Sequence, residues 1–251
     1  MKHSIICISG TNGGTGKSTI TKELAIGFSK KGIRTCLIDL SHGTQNAFFR
    51  ILPRLGIAEW LENYHASALK LTLDALTEQY SWDRIQQYLT YSRNHDVYLL
   101  TAPSDDRCYS ITQVELSTIL SLLYDYFDVI LIDTDSQLDA SIMPAFPYAD
   151  RVLLTATADA TCINNLKKLR RIIRNQEWDL NRFSLILNRQ PEDKNAFYMP
   201  GDLESILYFP VIAVLPEDEQ VWMYNNASLP IITGPDTPLK ESFNKLIEKL
   251  S

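Results

Sequence analysis

The stretch from Ser9 to Thr19, SGTNGGTGKST, has the composition of a loop that binds phosphate. Its small side chains allow the backbone N–H groups of Gly13 to Lys17 to point into one concavity that holds an anion. An apolar run, IICIS, precedes the loop, and a segment of helical pattern, STITKELAIGF, follows it. This strand-loop-helix context separates a working phosphate loop from a chance glycine-rich turn, and the helix N-terminus adds partial positive charge.

The loop ends in two side chains with defined chemistry. Lys17 would neutralise the β- and γ-phosphates of a nucleotide, and Ser18 would ligate Mg²⁺ through its hydroxyl. The pattern G-x-x-x-x-G-K-[ST] is met except at its first glycine, which is Thr11 here. The residues expected to line the phosphates are Asn12, Gly13, Gly14, Thr15, Gly16, Lys17, Ser18 and Thr19.

Two aspartates end apolar runs that read as strands. Asp133 ends the run in YFDVILIDTD, which is the Walker B arrangement for holding a Mg²⁺ water, and Asp39 ends the run in RTCLIDL. Ligands of an open parallel sheet lie at the carboxyl ends of its strands, so both carboxylates would point toward the loop. Either aspartate alone would be an ordinary solvated strand end. Together with the loop, they predict a Mg²⁺–nucleotide site.

The base can be argued from the run FSLILN, which ends in Asn188-Arg189-Gln190-Pro191. Guanine-specific sites use N-K-x-D or T-K-x-D, whose carboxylate accepts both guanine N–H groups, and no Asp stands at the fourth place here. An amide can both donate to and accept from the adenine edge, so the sequence favours ATP over GTP. The alternative is that Asn188 is an ordinary turn residue at a strand end and does not contact a base.

Short β-branched runs alternate with longer helical patterns along the chain, which predicts a doubly wound α/β fold. The runs are continuously apolar, as expected for strands buried on both faces of a mostly parallel sheet flanked by helices. We expect one domain over residues 1–251, with 189–201 as its most loop-like stretch. The expected strands are Ser4–Ser9, Thr35–Leu40, Val97–Thr101, Val129–Asp133, Val152–Thr155, Phe183–Leu187 and Val211–Val214. The expected helices are near 17–31, 70–90, 111–125, 160–176, 202–208 and 238–250.

The composition is that of an ordinary globular protein, with 45% hydrophobic and 22% charged residues. Its net charge of −6 argues against non-specific DNA binding by the whole surface. The chain shows no signal peptide, and no apolar run nears the roughly 20 residues that span a bilayer. Its four cysteines are widely spaced, without a C-x-x-C pair, which favours core thiols in a reducing compartment. We therefore expect a cytoplasmic protein that reaches a membrane or cell pole, if at all, through a partner.

Taken together, these segments resemble the MinD/ParA family of P-loop ATPases, and within it the CpaE/TadZ branch linked to pilus assembly. The loop Asn12–Thr19 is similar to the family's deviant Walker A loop, and Cys36–Leu40 to its second-strand motif. The segment Leu55–Leu61, LGIAEWL, looks like the CpaE-type sequence that follows. Further similar segments are Tyr98–Pro103, Phe127–Thr134, Leu187–Arg189 and Leu215–Asp218.

The resemblance implies roles for several residues. Lys17 and Asp39 would be catalytic, with Asp39 positioning or activating the attacking water, and Asp133 would hold Mg²⁺. Asn188, Pro216 and Glu217 would surround the adenine. Family members form homodimers that enclose ATP at the interface, and a deviant lysine of each subunit reaches the partner's phosphates.

Three departures from the family pattern concern hydrolysis and switching. The deviant lysine is Asn12, the second acidic residue after strand two is Ser41, and the D-T-P-P-G segment is DTDSQ from Asp133. An amide cannot supply the cation that stabilises charge developing on the γ-phosphate. We therefore expect ATP binding with at most weak, Mg-dependent ATPase activity.

Three weaker patterns have structural explanations. The helix of INNLKKLRRIIRNQ carries Lys167, Lys168, Arg170, Arg171 and Arg174 opposite an apolar stripe. A solvated face is favoured there, and a patch for an acidic partner, lipid or DNA stays open. The last helix is expected to pack on the core instead of lying on a membrane. Trp60, Tyr64, Tyr80 and Trp82 are expected to fill the core or, if exposed, to form a partner surface.

The leading hypothesis is an ATP-dependent switch that dimerises on ATP and positions a larger apparatus, a pilus or secretion machine. The alternatives are a nucleotide-binding scaffold that has largely lost hydrolysis, a ParA-type DNA partition ATPase and a small-molecule kinase. DNA partition needs a basic surface, which this acidic chain offers on one helix only. No acceptor pocket for a kinase can be identified from the sequence.

Overall fold

The computed structural model describes residues 3–41, 43–68, 80–101, 110–135, 143–191 and 199–251. They form an eight-stranded sheet in the order β3-β4-β2-β5-β1-β6-β7-β8. All neighbouring strands are parallel except the β3–β4 pair. The strands are β1 (Ser4–Ser9), β2 (Thr35–Asp39), β3 (Thr90–Ser92), β4 (Val97–Leu100), β5 (Val129–Asp133), β6 (Arg151–Ala156), β7 (Phe183–Gln190) and β8 (Val211–Pro216).

Helices cover both faces of the sheet and bury a separate apolar core on each. The helices, numbered along the described residues, are α1 (Lys17–Lys30), α2 (Thr44–Phe49), α3 (Ile57–Ala68), α4 (Trp82–Ile85), α5 (Gln113–Tyr124), α6 (Ala160–Asn175), α7 (Pro200–Leu207), α8 (Val221–Ala227) and α9 (Pro238–Leu250). Helices α1, α2, α8 and α9 pack on one face, and α3 to α7 pack on the other. The expected fold class, a doubly wound α/β sheet, is confirmed.

The central strand β1 lies between β5 and β6, so the chain leaves β1 where the strand order reverses. The carboxyl ends of β1, β2, β5, β7 and β8 therefore meet at one edge of the sheet. A crevice at such a reversal is where doubly wound sheets bind their ligands. This topology places the loop after β1 next to the acidic ends of β2 and β5.

The prediction of a helix near 70–90 is wrong for residues 80–90, which are the part that the structure describes. Only Trp82–Ile85 is helical there, and Thr90–Ser92 forms the antiparallel edge strand β3. A strand of three residues is too short for its period to be visible in sequence. Residues 70–79 of that prediction, like 192–198 of the expected loop, lie outside the described residues.

Two expectations about packing are confirmed. Leu239, Phe243, Leu246, Ile247 and Leu250 of α9 are all buried, so this helix packs on the core. Trp60 and Tyr80 are buried, and Tyr64 and Trp82 pack against the same core. The described part of the chain holds no helix of the length and apolarity that a membrane crossing requires.

Candidate nucleotide-binding site

The loop between β1 and α1 is held in its shape by a side chain from β7. Gly16 has a φ of +94°, and a Cβ there would lie 2.1 Å from Asn188 Nδ2. The Asn188 amide donates to Thr15 O at 2.8 Å. Only glycine permits this close approach and this backbone conformation together. Asn188 thus supports the loop, a role that the sequence did not predict for it.

The strand that carries Asn188 is longer than the sequence predicts, so Asn188 lies within it. β7 continues through Asn188 to Gln190 instead of ending at the asparagine. The pairing with β8 shifts register between Leu187 and Gln190, and Arg189 has a positive φ of +53°. A β-bulge re-aims side chains locally, which accounts for an Asn188 side chain that reaches the loop from within a strand.

Threonine hydroxyls tie the loop to β6. Thr15 Oγ1 lies 2.9 Å from Thr155 Oγ1, and Thr155 Oγ1 donates to Ser9 O at 3.2 Å. A Cβ on Gly10 would lie 2.8 Å from Thr155 Oγ1, so the loop approaches the strand too closely for a larger residue. The loop is therefore preorganised by the neighbouring strands.

Lys17 is buried, and its ammonium donates to the backbone oxygen of Asn12 at 3.1 Å. Burial lowers the pKa of Lys17, while the nearby carboxylates of Asp133 and Asp135 act in the opposite direction. The cation therefore lies inside the loop, next to the backbone groups expected to meet phosphate. Its role in neutralising phosphates stays a prediction.

The side chain of Asn12 hydrogen-bonds to other residues of the same chain. Its Oδ1 accepts from Thr11 Oγ1 at 2.8 Å and from Asn165 Nδ2 of α6 at 3.2 Å. Its backbone oxygen accepts from both Lys17 and Thr15. In this conformation the Asn12 side chain holds the loop to α6, and its expected contact with phosphate stays a prediction.

Asp39 and Asp133 stand side by side because β2 and β5 pair in register at these two residues. Both are fully buried. Asp133 accepts from Gln45 Nε2 at 2.6 Å and from Ser41 Oγ at 3.2 Å. Burial, followed by the charge of Asp39, raises the pKa of Asp133 to about 7. Two buried carboxylates so close disfavour each other's ionisation, and a cation placed there would favour it.

Both oxygens of Asp39 are engaged within its own turn. One accepts from the Ser41 backbone and hydroxyl at 2.8 and 2.6 Å, and the other accepts from the Gln45 N–H at 2.9 Å. In this conformation Asp39 shapes the segment that leads into α2. The role in activating water, which the resemblance implied, stays a prediction.

Gln45 was missed by the sequence reasoning. Its side-chain amide donates to Asp133 Oδ2 and, at 3.0 Å, to Ser18 O, so it joins the Walker B aspartate to the phosphate loop. A glutamine six residues after Asp39 belongs to no motif considered there. Only the fold brings it to Asp133.

The predicted metal ligands also come together. The Ser18 hydroxyl hydrogen-bonds to Asp133, and it accepts from Thr44 Oγ1 at 3.2 Å. Among the described residues, no group of three or more His, Cys, Asp or Glu side chains could hold a metal ion. One serine and one carboxylate fit Mg²⁺, which keeps several waters and takes other ligands from substrate phosphates.

Two of the cavities that touch the loop suit parts of a nucleotide. One of about 310 Å³ is lined by Gly14, Lys17, Ser18, Thr134 and others, and it suits phosphates and a metal. A second cavity, of about 280 Å³, extends from Gly16 and Asn188 and suits a base. The other residues lining the second cavity are Thr19, Ile20, Arg189, Pro216, Glu217, Asp218, Glu219, Val221, Trp222, Asn225, Ile231, Leu239 and Phe243.

This arrangement fits a nucleotide with Mg²⁺. The predicted base-side residues Asn188, Pro216 and Glu217 share one cavity, and Thr19 lies between that cavity and the phosphate side. Asn12 lies in the loop and accepts from Lys17 through its backbone oxygen, and Gly13 is exposed. The described elements bring the predicted residues that line the two cavities to one crevice, whereas Asn12, Gly13, Thr15, Asp39 and Asp133 line neither cavity.

The chain matches the domain described as the CobQ/CobB/MinD/ParA nucleotide binding domain over residues 6–231. It belongs to this family. As a MinD/ParA-type P-loop ATPase, it shares a fold whose relatives include cell-division and partition proteins.

Individual relatives are distant but match at nearly full length. The septum site-determining protein MinD of Thermotoga maritima is 24% identical over 98% of this chain and 88% of that protein. The MinC:MinD cell division complex of Aquifex aeolicus gives a TM-score of 0.77 at 18% identity, covering 98% of this chain and 95% of the other. MinD of Pyrococcus horikoshii, complexed with Mg-ADP, gives 0.74 at 20% identity over 99% and 96%. Such structural likeness shows the MinD/ParA fold, while the CpaE/TadZ branch stays a prediction.

Proposed function

We propose that this protein is an ATP-binding, slowly hydrolysing molecular switch that dimerises on ATP and positions a larger apparatus. The observation that carries the proposal is the meeting of Lys17, Ser18 and Asp133 at the carboxyl edge of the sheet, beside a base cavity. We also propose that residues 1–251 form a single domain.

Each residue of the site has a part in binding. The backbone N–H groups of the loop and the Lys17 ammonium would hold the β- and γ-phosphates, and Ser18 with Asp133 would hold Mg²⁺. Mg²⁺, when bound, supplies charge neutralisation on the phosphate oxygens. Asp39 would position water once its turn rearranges, and Asn188, Pro216 and Glu217 would flank the adenine.

Slow hydrolysis follows from the place of Asn12. Its amide is neutral and is bonded to Thr11 and Asn165 of the same chain. A cation supplied by a partner subunit is worth roughly 10³–10⁵ in the rate of phosphoryl transfer. The same observation favours the second candidate, a nucleotide-binding scaffold that has largely lost hydrolysis.

The partner is inferred from resemblance to other proteins. Resemblance of Leu55–Leu61 to CpaE-type sequences suggests a pilus or secretion apparatus, and the MinC:MinD complex of Aquifex aeolicus is a relative bound to another protein. We propose a protein partner of this kind, and recruitment to the membrane or pole through it. DNA is disfavoured by the net charge of −6.

Calorimetry with Mg-ATP tests the site. Lys17→Ala should abolish detectable binding because the lost cation faces the phosphates, and Lys30→Ala, at the exposed far end of α1, should bind as wild type. Circular dichroism should show that both variants are folded. If Lys17→Ala keeps the wild-type affinity, the phosphate-loop assignment is wrong.

Competition between nucleotides tests the base. ATP and ADP should displace a labelled adenine nucleotide more effectively than GTP and GDP, because no carboxylate follows Asn188 at the spacing that guanine recognition uses. Equal or tighter binding of GTP would contradict the assignment of adenine.

A further inference from the structure

The helix α8 places an indole at the mouth of the base cavity. Trp222 lines this cavity together with Asn188 and Pro216, and 68% of its surface is exposed. All four tryptophans lie within the described residues, and Trp60 is buried while Trp82 and Trp178 are partly covered. Trp222 is therefore the one indole that projects into solvent, and it does so beside the proposed ligand.

The rest of the cavity explains why an aromatic group at its mouth would matter. Ile20, Ile231, Leu239 and Phe243 line the interior and are all buried. One side of a flat base would thus meet apolar side chains, while its other side would face water. An indole on the rim can cover that second side, because stacked aromatic rings gain both from burial and from complementary charge distribution.

We propose that Trp222 is a base-binding residue that stacks on the purine of the bound nucleotide, which makes purine nucleoside phosphates the ligand class. The inference rests on the proposed nucleotide site and adds the residue that closes it. The indole occupies the position in α8 that follows Val221, itself a lining residue, so the start of this helix forms the wall of the cavity.

The chain offers a matched control in the next residue. Met223 lies on the same helix and is 45% exposed, yet it does not line the base cavity. A Met223→Ala variant removes an exposed apolar side chain of similar reach without touching the proposed contact. Trp222→Phe keeps an aromatic ring, and Trp222→Ala removes it. Since Trp222 is exposed, none of these changes opens a cavity in the core.

Affinities for Mg-ATP, Mg-UTP and inorganic tripolyphosphate measured by calorimetry test the inference. Base stacking on an aromatic side chain is worth about tenfold or more in affinity. Trp222→Ala should weaken Mg-ATP binding about 10-fold and reduce the preference for ATP over UTP. Trp222→Phe should recover most of the loss, and Met223→Ala should match wild type. Tripolyphosphate, which has no base, should bind all four proteins equally.

Acrylamide quenching of tryptophan fluorescence gives a second readout on the unaltered protein. Saturating Mg-ATP should protect the exposed tryptophan from the quencher, whereas tripolyphosphate should not. Undiminished quenching with bound Mg-ATP would contradict the stacking.

The outcomes separate this inference from the proposed function. Wild-type affinity of Trp222→Ala for Mg-ATP would overturn the stacking role and leave the nucleotide site standing. Equal losses for ATP and tripolyphosphate would also overturn it, because the effect would not depend on the base. If wild type binds neither Mg-ATP nor tripolyphosphate, the proposed nucleotide site itself is wrong.

Discussion

At the residue scale, the chain's most unusual feature is a neutral side chain at position 12. Asn12 bonds through its side chain to Thr11 and Asn165, and through its backbone oxygen to Lys17 and Thr15. These contacts join Asn12 to its own loop and to α6. They lead us to predict that Asn12 stabilises the loop and does not act on phosphates across a dimer interface.

Substitutions at position 12 should therefore change the rate of hydrolysis in opposite directions. We expect slow turnover in wild type, a loss of only a few-fold in Asn12→Ala, and faster turnover or a tighter ATP dimer in Asn12→Lys, since charge supplied in trans is worth roughly 10³–10⁵ in rate. Single-turnover hydrolysis at saturating protein measures all three. Fast turnover in wild type together with its loss in Asn12→Ala would show that Asn12 is catalytic.

Asn165→Ala is the control for Asn12. It removes the amide that donates to Asn12 Oδ1 and leaves the residues of the phosphate loop unchanged. If Asn12 acts by stabilising the loop, Asn165→Ala should reproduce most of the small effect of Asn12→Ala. Different effects from the two variants would argue for direct contact between Asn12 and phosphate.

Asp133 should make the stability of the nucleotide-free protein depend on pH. Burial first, and then Asp39, raise its pKa from 3.8 to about 7, so the folded state keeps a proton that the unfolded chain releases. The free energy of unfolding should therefore fall as pH rises from about 4 to 7, by up to about 1.4 kcal/mol per pH unit for one group. Above pH 7 the loss from this group is complete.

Urea unfolding of wild type and Asp133→Asn at several pH values isolates this effect. The variant does not ionise at this position, so its stability relative to wild type should increase with pH up to about 7 and then level off. Burial also raises the pKa of Glu23, but that group is present in both proteins and cancels in the comparison. Parallel stability curves for the two proteins would contradict the raised pKa of Asp133.

At the element scale, α1 connects the phosphate loop to the rest of the core. It packs against β1, β2 and α9, and its Gly27 faces Ile247 of α9. A Cβ on Gly27 would lie 2.2 Å from Ile247 Cδ1 and 2.8 Å from Cγ1. The close approach of the two helices therefore depends on the absence of a side chain at this position.

Gly27→Ala should consequently destabilise the protein, although alanine is the better helix former. Overpacking a core costs about 1–3 kcal/mol, against a propensity gain of about 1 kcal/mol. In an Ile247→Ala background the obstruction is gone, so Gly27→Ala should be neutral or stabilising there. Denaturant unfolding of the four proteins gives the coupling energy. Additive effects would mean that the helices adjust without cost.

At the scale of the whole molecule, the proposed switch requires a change of assembly with nucleotide. Sedimentation with a non-hydrolysable ATP analogue and Mg²⁺ should show a shift from monomer toward dimer, whereas ADP and nucleotide-free protein should remain mostly monomeric. The physical reason is that a nucleotide enclosed between two subunits adds contacts that each subunit lacks alone. Equal dimer fractions in all three conditions would favour the scaffold.

The local part of the site could be predicted from sequence. Two patterns of neighbouring residues reflect backbone geometry. One is Gly16-Lys17-Ser18 after an apolar strand, and the other is an aspartate at the end of β2 and of β5. The doubly wound sheet followed from the alternation of apolar runs and helical periods. These features depend on short stretches of chain, and their interpretation required no knowledge of distant contacts.

Only the tertiary structure decided which distant side chains meet. Asn12 and Asn165 are 153 residues apart in sequence, Gln45 and Asp133 are 88 apart, and Thr15 and Asn188 are 173 apart. The amide side chains of Asn and Gln follow no periodic pattern in the sequence. The order of the strands decides which residues they contact, and spacing along the chain does not. The sequence by itself determined that a phosphate loop and two carboxylates exist. The order of the parallel strands decided that Gln45 joins those carboxylates to the loop, and that Asn12 turns inward.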